Sequence, residues 1–340
     1  PSHLLEIAHF VLAGGRAQDL PKGNLRALVA GGGTGDGAIM LAQQLADRGP
    51  NSAGGSVTYL DMSTASLAVA RGRAEARGLT NISFHHGSLL DLPKMGWEPF
   101  DYIDCCGVPH HLAVPDEGLA ALTSVLTEQG GLGLMLYGEL GRTGVYPAQR
   151  AIARLRGDEP ADEGLRLARR LNRNDFLADH LHGDDAGLYD LLLHSRDRAY
   201  LVGEIAELVA GADLRITGFL PPGAYDPGSY IDDPELRTRA AALPVVERWA
   251  LAEEMSGAMK THAFYAVRQG NKTGGAATGF APSMVPVLRE MSAERLAASL
   301  EKSPRLSAEL GGVARQFELP EGAAAIVALI DGRRSLRQIH

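Results

Sequence analysis

The chain has 340 residues, 45% apolar and 22% charged, which is ordinary for a globular fold of about two domains. Its 41 acidic residues outnumber 33 basic ones, and the net charge of −8 argues against non-specific nucleic-acid binding. No stretch reaches the ~18 continuous apolar residues of a membrane span. Pro1–Glu6 carries no secretory pattern, and a first residue other than Met is what a trimmed or partial chain shows. The cysteines are the neighbours Cys105 and Cys106, which point to opposite faces of a strand and suit neither a disulfide nor a metal cluster. A cytoplasmic location is the resulting expectation.

In chain order, Leu4–Leu20 reads as an amphipathic helix interrupted at Gly14 and Gly15. From Leu25 strand and helix patterns alternate. Strands are expected at Arg26–Ala30, Ser56–Leu60, Asn81–His85, Tyr102–Cys106 and Leu132–Tyr137, and helices at Asp36–Arg48, Ser63–Arg77 and Glu117–Leu126. Short links between such elements predict a parallel, doubly wound sheet. Residues 144–198 break the rhythm and read as a helical insertion over the mouth of the sheet. A helix at Tyr200–Leu208, a strand at Leu214–Phe219, a helix at Val245–Met259 and a strand at Thr261–Arg268 complete seven strands. Gln269–Thr278 has the composition of a flexible linker. Ser283–His340 reads as a small helical module, so the divisions fall at 1–24, 25–270 and 271–340.

Four strand ends carry chemistry. After the first strand, Gly31, Gly33 and Gly35 form a turn with almost no side chains, so a ligand can press on backbone and on the free N–H groups of a helix start. The second strand ends in Asp61, followed by Met62; an acid there can accept both hydroxyls of a ribose. Gly35 and Asp61 are 26 positions apart, longer than the ~20 of a dinucleotide fingerprint, and the loop 49–55 absorbs the excess. The third strand ends in Gly87, Ser88 and Leu89, and the fourth runs through Cys105 into His110 and His111. In this architecture the four ends converge on one crevice.

These motifs, Leu28–Gly35, Tyr59–Ser63, His86–Asp91 and Asp101–Leu112, occur in the order and spacing of class I S-adenosylmethionine-dependent methyltransferases, which the chain resembles from about Leu25 to Arg268. The resemblance implies a doubly wound, seven-stranded Rossmann-like α/β sheet and S-adenosylmethionine as cofactor. It places Gly31, Gly33 and Gly35 beside the methionine and ribose, Asp61 on the ribose hydroxyls and Met62 on the adenine. Gly87, Ser88 and Leu89 fall at the adenine edge, and Cys105 near the sulfonium. Two departures stand out. Val29 occupies a position often held by an acid, leaving the methionine amino group to Asp36 or backbone. Ser88 replaces a frequent aspartate.

His110 and His111 lie where the methyl group should emerge and are candidate bases, the alternative being that they cap the loop and frame the pocket. Adjacent histidines cannot both face one ion, and no third ligand is evident beside them, so no metal is expected. Tyr137, Glu139, Arg142 and Tyr146 open the insertion and are candidates to grip a polar or carboxylated acceptor, with a solvated hinge as the alternative. Arg196 and Arg198, near His194, read equally as an anion clamp or a surface salt-bridge network.

The C-terminal module resembles, more faintly, small winged-helix PqqD-like domains through Leu319–Gly322 and Leu329–Arg334. That resemblance implies leader-peptide binding or dimerisation, so a homodimer is an expectation. The expected activity is methyl transfer to an O, N or S nucleophile of a small molecule or short peptide. A non-catalytic cofactor-binding regulator is the second reading. A nicotinamide oxidoreductase is the third, weakened because no Tyr-x-x-x-Lys pair follows the fifth strand.

Overall fold

The computed structural model describes residues 3–12, 25–48, 54–170, 185–194, 196–271, 282–288 and 291–340. Helix α1 (Leu4–Phe10) covers the first part of the expected leading helix, whose remainder from residue 13 lies outside the described residues, as does the linker from 272 to 281. β1 (Leu25–Ala30) feeds α2 (Asp36–Ala46), and β2 (Gly55–Asp61) feeds α3 (Thr64–Glu75). The Ser63 hydroxyl caps α3 by accepting the Ser66 N–H at 3.1 Å. β3 (Ile82–His86), β4 (Phe100–Cys106), α4 (Pro115–Ser124) and β5 (Leu126–Gly138) follow.

The insertion supplies α5 (Val145–Arg156), α6 (Ala161–Arg170) and α7 (Asp185–Leu192), with 171–184 outside the described residues. β6 (Ala199–Tyr200), α8 (Val202–Gly211), β7 (Leu214–Leu220), α9 (Pro234–Ala241), α10 (Val245–Ser256) and β8 (Thr261–Arg268) complete the domain.

The strand order is β3-β2-β1-β4-β5-β8-β7, parallel through β5 and antiparallel where β8 inserts between β5 and β7. This is the expected seven-stranded path. The two-residue β6 is an addition, paired in parallel with Tyr137 and Gly138 at the tip of β5. The order reverses between β1 and β4, so the carboxyl ends of those strands open the crevice in which doubly wound folds bind ligands.

Apolar layers hold the sheet from both sides. Leu28, Ile103, Leu134 and Phe264 pack with Leu122 of α4 and with Val202 and Ile205 of α8; Val29, Tyr102 and Tyr265 pack with Ile7 of α1 and Leu41 of α2. Each fully buried side chain of this size contributes roughly 1.5–3 kcal/mol, so the strand tips are fixed by their neighbours rather than by any ligand. The insertion has its own small core, Val145, Ile152, Ala168, Leu188 and Leu191. A buried polar knot ties β8 to two helices. The Tyr225 hydroxyl lies 2.8 Å from His262 Nδ1, His262 Nε2 lies 3.1 Å from Glu253, and Glu253 accepts the Val202 N–H that starts α8.

The C-terminal module departs from the helical expectation. After α11 (Ala293–Lys302) comes an antiparallel hairpin, β9 (Arg305–Leu310) and β10 (Val313–Glu318), turning on Gly311 and Gly312, both at positive φ. Burial alternates with period two along β10, a strand signature that the surrounding helical composition obscures. The hairpin tip rests on the domain, the Ser256 hydroxyl donating to the Gly311 carbonyl at 2.5 Å.

Candidate functional site

The glycine turn is pinned from below and open above. Gly31 (φ 73°), Gly33 (φ 51°) and Gly35 (φ 96°) all occupy the left-handed region that disfavours other residues. A Cβ on Gly31 would stand 2.3 Å from Val108, which follows β4, and one on Gly35 would stand 2.8 Å from Ala70 of α3. A Cβ on Gly33 would meet nothing within 4 Å. The loop is therefore wedged between its neighbours while its middle residue faces open space. Tyr59, buried beneath, donates its hydroxyl to the Gly33 carbonyl at 2.6 Å. Burial and the nearby Asp61 carboxylate hold this phenol protonated, so it remains a donor.

Asp61 ends β2 with one carboxylate oxygen accepting the Gly33 N–H at 2.8 Å and the other accepting the Ser63 N–H at 2.7 Å. A carboxylate has about four lone-pair sites, so capacity for two further donors remains. Met62 follows it with 70% of its surface exposed, an apolar thioether on an otherwise polar rim. Ser88 caps the short turn Leu89–Lys94 through its hydroxyl, which accepts the Leu90 N–H, and Leu89 is buried behind it. Gly87 donates its N–H to the Asp61 carbonyl, which joins the two strand tips. An adenosine-bearing cofactor fits this surface: an open backbone cradle, a strand-end acid and an apolar platform lie side by side.

Two cofactor expectations meet other surroundings. Asp36, expected near the methionine amino group, is paired at 2.5 Å with Arg73 of α3, whose guanidinium keeps its carboxyl below the usual range. The Cys105 side chain is fully buried in the core layer with Ile103 and Leu134, so its contribution at the crevice is backbone. Burial pushes its thiol pKa up. Asp104, a buried acid on β4, pairs in register with Val29 and so stands across from the position where the expected acid is missing.

The residues expected on the acceptor side are charged and aromatic side chains packed on one another. His110 is 1% exposed and stacks on Tyr137 at 3.9 Å. Both its ring nitrogens are buried without a hydrogen-bond partner. Burial, followed by neighbouring His111, pushes its pKa down to about 3. His111 is buried enough to lower its pKa, yet the Asp190 carboxylate and the Arg196 carbonyl outweigh that and raise it.

Arg142 and Tyr137, expected to grip an acceptor, are turned inward. Arg142 is 3% exposed, pairs with Asp197 at 2.6 Å, and its guanidinium lies 3.7 Å from the Tyr137 ring centre. Tyr137 donates its hydroxyl to Asp190. Tyr146 stands 5.9 Å from the same guanidinium and lines an outer groove with Glu139, Arg150 and Arg198. Arg198 pairs at 3.0 Å with Glu204 on the surface, while Arg196 enters through its carbonyl.

Sequence spacing showed no third side chain with ligand atoms near the histidine pair, and the fold brings two such side chains to His111. One ligand atom each from His111, Asp190 and His194 lie within 4.8 Å of one another. Asp190 and His194 come from the far end of the insertion, which linear spacing cannot reveal.

Residues 21–138 match a family described as "Methyltransferase domain". An uncharacterized protein of Synechococcus sp. is 33% identical over 254 residues, which is 70% of this chain and 58% of that protein. PKMT2 from Rickettsia typhi, solved in complex with AdoHcy, superposes with a TM-score of 0.62 at 17% identity, over 82% of this chain and 55% of its own. A second structure of PKMT2 from Rickettsia typhi gives 0.63 at 16% identity. The chain thus spans little more than half the length of these relatives. Among the described residues no helix is long and apolar enough to cross a membrane. Sequence motifs, strand order and family match agree that the chain carries a class I S-adenosylmethionine-dependent methyltransferase domain.

Proposed function

We propose that this domain transfers a methyl group to an O, N or S nucleophile of a small molecule or short peptide by in-line displacement. One observation carries the reading: the open backbone at Gly33 is hydrogen-bonded to the Asp61 carboxylate, and the exposed Met62 follows that acid at the strand end. S-adenosylmethionine, when bound, supplies an electrophilic methyl on a sulfonium. Asp61 accepts the ribose hydroxyls, Met62 packs on the adenine, and Gly87, Ser88 and Leu89 shape its edge. Backbone at Gly31, Gly35 and the β4 tip borders the methionine.

The insertion covers the mouth and limits water, which favours displacement over side reactions. His110 frames the pocket and is not a general base, because neither ring nitrogen reaches the crevice surface. Alignment of nucleophile, carbon and sulfur supplies the rate enhancement instead.

Calorimetric titration with S-adenosylhomocysteine, against NADH as control, tests the cofactor. Asp61→Ala should weaken binding about a hundredfold, since hydrogen bonds to a charged acceptor contribute ~1.5–3 kcal/mol each. Unchanged affinity in that variant, or binding of NADH alone, overturns the reading. A screen of peptides, acids and amines for methyl transfer separates an enzyme from a cofactor-binding regulator. With an acceptor found, His110→Phe should retain activity within about tenfold, whereas loss of a general base would lower it ~10²–10⁴-fold.

A further inference from the structure

Methyl transfer as described leaves one cluster unused. His111 closes the short turn after β4, Asp190 lies on α7, and His194 stands two residues beyond that helix. Their surroundings assign protons in a telling way. His111 Nδ1 lies 2.7 Å from the Arg196 carbonyl, and a ring nitrogen facing a carbonyl must carry the hydrogen. The Nε2 of a neutral His111 then presents a lone pair, and it stands 3.1 Å from an Asp190 carboxylate oxygen. Two acceptors at that separation repel unless a cation sits between them, either a proton or a metal ion.

His194 repeats the arrangement. Its Nδ1 is 2.5 Å from the same Arg196 carbonyl and 3.2 Å from the Arg196 N–H, and donation to the nearer oxygen frees its Nε2. Its ring lies 3.7 Å from that of His111. The second Asp190 oxygen accepts the Tyr137 hydroxyl, which fixes the carboxylate. Orienting partners of this kind, a carbonyl behind each imidazole and a donor behind the carboxylate, are what metal ligands require.

We propose that His111 Nε2, Asp190 Oδ1 and His194 Nε2 bind a divalent transition-metal ion of the zinc class. Two imidazoles and one carboxylate suit such borderline ions and are a poor match for magnesium or calcium. The 3.1 Å between His111 Nε2 and Asp190 is near the ~3.3 Å edge of a tetrahedron with ~2.0 Å arms. Three protein ligands leave a coordination position open, as in catalytic rather than structural sites. The three ligand residues are half-buried rather than enclosed, so an ion can enter. His111 lies three residues beyond Val108, which packs on the glycine turn, so an ion held here would sit on the segment that borders that turn. It would hold an acceptor through an oxygen, a role that rests on the methyl-transfer reading, whereas metal binding does not.

The test uses the whole chain, stripped with chelator and dialysed, titrated with Zn²⁺ by calorimetry and with Co²⁺ by visible absorption. One equivalent should bind. His194→Ala and Asp190→Asn should each weaken binding by at least tenfold, and Tyr137→Phe by about tenfold through the carboxylate it orients. Absence of saturable binding, or binding that His194→Ala and Asp190→Asn leave unchanged, overturns the proposal. S-adenosylhomocysteine titration of the same samples shows that the variants are folded. A chain that binds S-adenosylhomocysteine and no zinc refutes the metal site alone. One that binds zinc and no S-adenosylhomocysteine supports the metal site and refutes the methyl-transfer reading.

Discussion

The two proposed walls of the crevice are made of different material. The proposed cofactor wall, from Gly31 to Leu89, presents backbone, small residues and one carboxylate at the tips of strands. The proposed acceptor wall, from Tyr137 to Arg198, is a web of charged and aromatic side chains: Arg142 on Asp197, Tyr137 on Asp190, and His111 beside His194. The first wall inherits its shape from the sheet. The second must assemble from segments distant in sequence, and it stands only while its charges match. A cofactor shared by many enzymes can be held by invariant backbone, whereas an acceptor needs side chains that differ from one protein to the next.

The largest expected effect breaks the acceptor wall alone. Arg142→Ala leaves Asp197 buried and without its cation, which should cost about 3 kcal/mol, softened by the Gln149 amide that also donates to Asp197 at 2.8 Å. Thermal unfolding should show the loss, while S-adenosylhomocysteine affinity stays within about twofold. The double variant Arg142→Met, Asp197→Leu should recover most of the stability, because a matched apolar pair avoids the charge burial. A parallel collapse of cofactor affinity in the single variant would show that the walls are one unit.

A smaller effect is expected on the other wall. Tyr59→Phe removes the hydroxyl that props the Gly33 carbonyl, a loss of about 1 kcal/mol. It should weaken S-adenosylhomocysteine binding about fivefold and leave zinc binding untouched. The smallest effect concerns α1 beneath the cofactor wall. Burial lowers the folded-state pKa of His9 below its ordinary 6.5. The unfolded chain therefore takes up a proton first as pH falls. Stability from this group is complete above about 6.5 and declines as pH drops below it. Denaturant unfolding of His9→Gln across that range should show a shallower acid slope than the parent; an equal slope would clear His9 of the effect.

The same contrast decides what could be read in advance. Strand and helix alternation from Leu25 to Tyr137 is written in short-range periodicity, and the seven-strand order follows from rules that connect such elements. Asp61 and the glycines are legible because a strand tip fixes their position within one or two residues. Arg142 looked available to a substrate because its sequence shows a charge and a glycine on either side, and nothing in that spacing reveals Asp197. The approach of Asp190 and His194 to His111 was invisible for the same reason. The β9–β10 hairpin was missed on local grounds, since its alternation is carried by partly exposed residues such as Leu306 and Phe317.

Met259 and its neighbour Ala258 are held from two directions. A Cβ at Gly141 would lie 2.3 Å from Met259 backbone, and one at Gly312 would lie 2.7 Å from the Ala258 carbonyl. Gly141 begins the passage into the insertion, and Gly312 is the apex of the C-terminal hairpin. Neither contact has room for a methyl group, so this short stretch works as a rigid crossbar between them. The tip of the C-terminal hairpin and the entry to the insertion therefore share one backbone support at Ala258 and Met259.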